Sequence, residues 1–412
     1  MSSHRNTLFV VRESAEHYRR AINSGLMQVT ITGRDGKRVV LPDGREVVEF
    51  VNCSTLGLDI HPDVIEASKS VDDMWGVHFT CARSRLSIEP QRLLEEELSD
   101  LYRGRVITFP SALAAHISVM PLLASGILAV EDEMHKMCFI FDKFAHSTLQ
   151  YLKPVLAAEA TVVTIAHNSL AELSQQVLAA RERGETAVYV ADGVYSMGGL
   201  CPMPELLALS EELGFFLFID DAHGMGAYGE RGEGFALSHV EGDIPDRMMV
   251  SFSLGKGFGA YGGGIVVPGR WREHLIRSFG QVYSFSAAHP FQSVFACRAV
   301  VRLHNDGTIK PLQKELRARV ALYDELMGES RPFSPIRMIP VGQADDAIMA
   351  GERLLDEGYY VSVVFFPVVA RNSAQLRVIL AANHSEDDVK GLVESIKRVQ
   401  SDLTVSGATS SS

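Results

Sequence analysis

The chain has 412 residues, 46% of them hydrophobic and 22% charged, with a mean hydropathy of +0.07, which describes an ordinary globular protein and excludes a disordered one. Thirty-nine basic against 51 acidic residues leave a formal charge of -12, and no basic cluster interleaved with aromatics offers a phosphodiester footprint, so nucleic acid is not an expected partner. The five cysteines (Cys53, Cys81, Cys138, Cys201, Cys297) are odd in number, scattered and without a CxxC pair, which argues against a disulfide framework and against a zinc site. No apolar run approaches the ~18 residues that span a bilayer. The first residues have too short an apolar core for a secretory signal, and a cytoplasmic protein without integral membrane association is expected.

In chain order, "VTITGRDGKRVVLPDGREVVEFVN" (residues 29–52) predicts turn-punctuated strands with "DG" at two turns, a small N-terminal segment over 1–57. From about 106 to 267, short β-branched or aromatic runs alternate with amphipathic stretches, the pattern of parallel strands joined by helical crossovers. The strands are "RVITF", "KMCFIF", "TVVTI", "AVYVA", "FFLFI", "MMVSF" and "GGIVV". Between them "LAELSQQVLAARERG" and "MPELLALSEELG" carry helical spacing and stop at glycine. This large α/β domain is expected over 58–292, followed by a smaller α+β domain over 293–402. In that domain "GTIKPLQKELRARVALYDELMGE" and "SEDDVKGLVESIKRVQ" read as helices, "YYVSVVFF" and "QLRVILAA" as strands. Residues 403–412 read as a flexible tail.

The stretch "SFSLGKGFGAYGGG" (251–264) sets Lys256 among glycines. It is not a Walker phosphate loop, which needs Gly six residues before the lysine and Ser or Thr after it, where this chain has Val250 and Gly257. Two matches to GxGxxG, at 224–229 and 257–262, lack the strand–turn–helix context of a dinucleotide fingerprint. A better reading joins "ADGVYSM", "IDDAHGMG" and "SFSLGKGFG", each expected at the carboxyl end of a parallel strand, where open α/β sheets bind ligands. Together they offer acid, imidazole, hydroxyls and an amine. Pyridoxal phosphate needs that set: an amine for the Schiff base, a carboxylate facing the pyridine nitrogen, and donors for the phenolic oxygen and phosphate.

These segments and others in unbroken order resemble the α-oxoamine synthase family of pyridoxal-phosphate enzymes: "LGLDIHPDVIEA", "LLEEELSDLY", "FAHSTL", "AHNSL", "DGVYSMGGLCPMPEL", "DDAHGMGAYGERGEG", "SLGKGFGAYGG", "YSFS", "FFPVV" and "LRVILAANHSEDDV". The resemblance, from about residue 48 to 398, implies an aspartate-aminotransferase-like (type I) fold with a mostly parallel central sheet. It also implies a homodimer with shared active sites, and decarboxylative condensation of an amino acid with an acyl thioester to an α-aminoketone. Another type I reaction (aminotransferase or retro-aldol lyase), or a non-catalytic subunit of a heterodimer, is the alternative. By the same resemblance Lys256 is the Schiff-base lysine and Asp220 the partner of the pyridine nitrogen, with Asp221 as second choice. His223 and Ser196 reach the phenolic oxygen, His146 stacks on the ring, and Ser253 binds phosphate together with the backbone of Ser111, Ala112 and Leu113. Ser284 or Ser286 comes from the partner subunit. Arg377 and Cys53 belong to the substrate carboxylate site, and no metal is implied.

Four departures from the family pattern are present. "SALAAH" ends in His116 where an asparagine is usual, "HFTCARSRLS" (78–87) is bulky where relatives keep glycines, Cys53 replaces an asparagine and Gln91 a histidine. They are expected around the amino-acid and acyl sites.

Overall fold

The structure is a computed structural model that describes residues 7–71, 74–131 and 135–409, with side chains through 402. The chain divides into two compact units, one holding residues up to 57 together with those from 314 on, the other residues 58–313.

The smaller unit opens with α1 (Thr7–Asn23), β1 (Gly33–Asp35), β2 (Arg38–Val40) and β3 (Glu46–Glu49). The larger unit follows with α2 (Pro62–Lys69), α3 (Glu89–Tyr102), β4 (Arg105–Phe109), α4 (Ala112–Ala124), β5 (Lys136–Asp142), α5 (Ser147–Gln150), α6 (Lys153–Leu156), β6 (Thr161–Ile165) and α7 (Leu170–Glu182). It continues through β7 (Glu185–Asp192), α8 (Met203–Leu213), β8 (Phe216–Asp220), β9 (Met248–Ser253), β10 (Gly263–Val267), α9 (Arg270–Phe279), α10 (Gln281–Phe285) and α11 (Phe291–Asn305). Its seven strands form one sheet in the order β4-β10-β9-β8-β7-β5-β6. Strands β5 to β9 pair in parallel, and Phe139, Phe141, Val188, Val190 and Phe218 in them are fully buried, as strands covered by helices on both faces must be. Helix α8 stops as the sequence predicts: Gly214 takes φ 68° and its N–H returns to Ser210 O at 2.8 Å.

One strand runs against the expected direction. "GGIVV" is antiparallel to both β9 and β4, so the sheet is mixed with a parallel centre. The link from Ser253 to Gly263 is too short for the dozen or more residues of a parallel crossover, and the chain turns back on itself.

The smaller unit is completed by α12 (Ile309–Met327), which spans the division, and by β11 (Ile336–Gly342), α13 (Ala344–Asp356), β12 (Tyr359–Tyr360), β13 (Ser362–Val364), β14 (Ala374–Ile379) and α14 (Glu386–Thr409). "YYVSVVFF" is divided between two sheets. Tyr359–Tyr360 runs parallel to β3 at the edge of the sheet β1-β2-β3-β12, and Ser362–Val364 joins the sheet β11-β14-β13. That pairing corrects the expected layout, since residues 1–57 are no separate segment: β3 and β12, over three hundred residues apart, share a ladder. The second boundary falls after Gln313 instead of after 292, because α11 packs on α2 and α3 in the larger unit. The last helix continues to Thr409, past the residue 403 at which a tail is expected.

Candidate active site

The carboxyl ends of β7, β8 and β9 lie side by side, with Asp192 opposite Asp220 and Asp220 opposite Ser251. Almost every cofactor residue named from the sequence hangs from this edge of the sheet. Asp220 is the last residue of β8 and is buried, its Oδ1 receiving the N–H of Ala222 at 3.2 Å. His223 follows three residues on and is buried as well. Ser196 is half-buried just beyond β7. His146 lies beyond β5 at the head of α5, where its Nδ1 is 2.8 Å from Thr148 Oγ1.

The Lys256 loop has a shape imposed by short contacts. Ser253 Oγ accepts the N–H of Gly255 at 3.1 Å, and Lys256 O accepts that of Gly259 at 2.8 Å. Gly259 has φ +74°, and a Cβ there would stand 2.5 Å from Leu58 Cβ, so the turn past the lysine tolerates no side chain. Gly263 packs on the start of α4: an added Cβ would lie 2.3 Å from Ala112 N. The turn Ser111-Ala112-Leu113 is thus beside the first residue of β10, with Ser111 capping α4 through Ala114 N–H at 3.2 Å. The N–H groups of Ala112 and Leu113 are among the four that a helix cannot pair internally, an anion site by geometry.

Asp220 and Asp221, adjacent in sequence, are separated by their surroundings. Asp221 points to the loop beyond β8, where its Oδ2 accepts Ala236 N–H at 2.9 Å and where Cβ atoms at Gly193, Gly224 or Gly234 would strike it. Burial raises its pKa well above the carboxylate range, against the N–H groups of Ala236 and Phe235. It braces the loop that follows β8.

Two residues that sequence reasoning did not assign stand here. Asp192 ends β7 and accepts the backbone N–H of His146 at 2.8 Å, fixing where the imidazole starts. Burial and the neighbouring Asp220 charge push Asp192 well above its ordinary pKa, against the His146 N–H and Lys256. An acid at the end of a strand, before a glycine, was the available signal. The second is His116, which the sequence marked only as a departure expected around the amino-acid and acyl sites and whose Nε2 is 3.6 Å from Asp220 Oδ2. Asp142, at the end of β5, takes N–H groups from Phe144 at 2.7 Å and Asn168 at 2.8 Å and the His167 imidazole at 3.0 Å. Burial would raise it, and those hydrogen bonds outweigh burial and hold it low.

Other expected residues lie apart. Ser284 and Ser286 close α10 around Phe285, which is 76% exposed; Ser284 Oγ donates to Ser278 O at 3.1 Å and Ser286 is open to solvent. Arg377 and Cys53 belong to the smaller unit, where the guanidinium Nη2 is 4.0 Å from Cys53 Sγ. Two departures prove to be internal braces, contrary to the expectation of a place around the substrate. Arg83 is buried, with Nη1 2.9 Å from Glu95 Oε1 and 2.8 Å from Thr108 O, and Gln91 Nε2 donates to Thr108 Oγ1 at 2.9 Å. An arginine in that apolar corner finds its stable state on a buried carboxylate.

The residues present fit pyridoxal phosphate. A buried carboxylate at the sheet edge calls for a cationic or N–H partner, and amine, imidazoles, hydroxyls and a helix N-terminus for the phosphate stand around the same edge. A mixed sheet with these groups at the carboxyl ends of its parallel strands defines a type I pyridoxal-phosphate enzyme.

Comparison with known proteins narrows the class. The model of the family "Aminotransferase class I and II" matches residues 132–396. The 8-amino-7-oxononanoate synthase of Geobacter sulfurreducens is 31% identical over 389 residues, covering 91% of this chain and 94% of that protein. That of Methylococcus capsulatus is 31% identical over 383 residues, covering 87% and 90%. Among solved structures, a serine palmitoyltransferase with pyridoxal phosphate superposes with a TM-score of 0.84 at 21% identity over 97% of this chain and all of that one (100%). The 8-amino-7-oxononanoate synthase of Francisella tularensis gives 0.69 at 20% identity, covering 86% and 98%. The chain belongs to the α-oxoamine synthase family. It is a pyridoxal-phosphate-dependent acyltransferase that condenses an amino acid with an acyl thioester and releases carbon dioxide.

Proposed function

We propose that Lys256, Asp220, His223, His146 and Ser196 carry this reaction and that Ser253 with the first turn of α4 holds the phosphate. The observation that carries the reading is the alignment of Asp192, Asp220 and Ser251 at one sheet edge, with the Lys256 loop leaving the same edge. Pyridoxal phosphate, when bound, supplies an aldehyde for the amine and a ring that withdraws electrons from the α-carbon. Asp220 keeps a proton on the ring nitrogen, because a carboxylate in a buried site favours a positive partner. His223 and Ser196 would donate to the phenolic oxygen of the bound cofactor, and His146, whose backbone N–H is held by Asp192 and whose Nδ1 is 2.8 Å from Thr148 Oγ1, would help to hold its ring. The Lys256 amine removes the α-proton of the amino acid. A bond forms between that carbon and the acyl carbon, the thiol leaves, and the C–COO⁻ bond breaks; the pair left on carbon takes a proton. Arg377 binds the substrate carboxylate by a charge-assisted pair.

The active form is a homodimer with Ser284 or Ser286 of each chain serving the other. Support comes from large apolar side chains left open around that segment: Met74 is 72% exposed, Val77 62%, Leu86 59% and Phe285 76%. The stretches are tied by the bridge Ala82 to Ala287 and by Phe291 N–H on Val77 O at 3.1 Å. A cytoplasmic setting agrees with five free cysteines. Among the described residues no helix is long and apolar enough to cross a membrane.

The test is a screen of amino acids against acyl thioesters, read by mass spectrometry for α-aminoketones with stoichiometric thiol and carbon dioxide. Acyl groups with a distal carboxylate come first, since the product in the relatives' name, 8-amino-7-oxononanoate, carries one. Formation of a keto acid without thiol release would instead establish an aminotransferase.

A further inference from the structure

His116 is the least expected residue in this crevice. It sits one turn into α4 among alanines and aliphatic residues and is fully buried, where an imidazole without hydrogen bonds is costly. Its Nε2 lies 2.9 Å from Ser251 Oγ on β9 and 3.6 Å from Asp220 Oδ2 on β8. Its Nδ1 is buried with no hydrogen-bond partner among the described residues. Asp220 faces it directly, and His146 and Lys256 act on it at longer range. Burial favours the neutral ring, against the pull of Asp220. A neutral ring carries one proton, and only Nε2 offers it acceptors; on Nδ1 it would be a buried donor left unpaired.

We propose that His116 is a positioning residue for Asp220. Its Nε2–H goes to the Ser251 hydroxyl at 2.9 Å, and the same edge of the ring stands 3.6 Å from Asp220 Oδ2, where its dipole acts on the carboxylate without a hydrogen bond, while the Ala222 N–H holds Oδ1 at 3.2 Å. One oxygen is held by a hydrogen bond and the other faces the edge of the imidazole, so that the direction of the carboxylate is set before any cofactor arrives. Ser251 seats the imidazole in turn, from the register position opposite Asp220. The inference rests on the reading of Asp220 as the partner of the ring nitrogen.

The experiment uses the full chain stripped of cofactor and titrated with pyridoxal phosphate, for the wild type, His116→Phe, His116→Asn and Ser251→Ala. Binding, the visible absorption band of the bound cofactor, and the Tm of the cofactor-free protein are recorded. His116→Phe, which keeps the ring volume, is expected to weaken cofactor binding roughly fivefold, the size of one ordinary hydrogen bond, and to move the band. His116→Asn restores both, and Ser251→Ala changes both in the same direction by less. Wild-type affinity and an unmoved band in His116→Phe and Ser251→Ala would overturn the proposal while leaving the cofactor reading intact. A loss repaired in no respect by His116→Asn would mark a packing role only and overturn it too. If His116→Phe does not fold, Ser251→Ala decides alone. A wild-type chain that takes up no pyridoxal phosphate would overturn both.

Discussion

At the scale of single residues, Lys256 and Arg377 make different predictions because the roles proposed for them differ. Lys256 is half-buried in a loop held by backbone contacts, so Lys256→Ala removes an amine and little packing. Turnover should fall by about a thousandfold or more, the scale of a lost general base, with Tm near the wild-type value. Turnover within tenfold of wild type would remove Lys256 from the chemistry. On the proposal that Arg377 binds the substrate carboxylate, Arg377→Ala would delete a charge-assisted pair of about 1.5 to 3 kcal/mol, so amino-acid binding should weaken roughly ten- to a hundredfold with thioester binding much less changed. Titration with each substrate separates the two. Cys53→Asn, beside that guanidinium at 4.0 Å, should alter which amino acid is preferred, and an unchanged preference would reduce Cys53 to a small thiol.

Among the elements, α3 shows how a departure from the family pattern is absorbed. Glu95 on α3 accepts Thr108 N–H of β4 at 2.7 Å and faces Arg83 at 2.9 Å and Arg277 of α9 at 2.8 Å. Burial would raise its pKa, yet the Arg83 and Arg277 charges lower it from 4.5 to about 2. A pKa depressed on folding stabilises the protein above the unfolded value and loses that contribution as pH falls toward the folded value, here between about pH 4.5 and 2. The contribution at neutral pH is on the order of 3 kcal/mol. Glu95→Gln should therefore lower stability at pH 7 by about that amount and flatten the loss between about pH 4.5 and 2. Denaturant melts of both proteins across that window check it; parallel curves would mean that other carboxylates govern acid unfolding. The same network accounts for Arg83 and Gln91, so specificity is better sought at Cys53 than in the run around residue 83.

On the scale of the whole molecule, the dimer is the consequence most open to test. Phe285→Asp places a charge where a 76% exposed phenyl ring invites a partner. Light scattering should show the wild type at twice the 45.2 kDa chain mass and the variant shifted toward one chain, with activity falling in step. An active wild-type monomer would defeat the shared-site reading.

The sequence by itself determined the seven strands of the larger unit and two of its helices, α7 and α8. Parallel strands buried on both faces are read as apolar runs, and glycine stops such as Gly214 mark helix ends, both local signals. It also carried the ordered motifs that name the candidate site residues, and Asp220, His223, Ser253 and Lys256 among them stand at or just after the end of their own strand, which a local pattern can show. Only the tertiary structure decided what depends on chain segments distant in sequence. The reversed direction of β10, the ladder between β3 and β12, and the packing of α11 follow from partners that no local pattern encodes. The same holds for the surroundings of Asp220 and Asp221, adjacent residues with identical side chains that face different partners: His116 for one, the Ala236 N–H for the other. Composition and spacing report what a residue can do; burial and partners, which come from the packed chain, decide what it does.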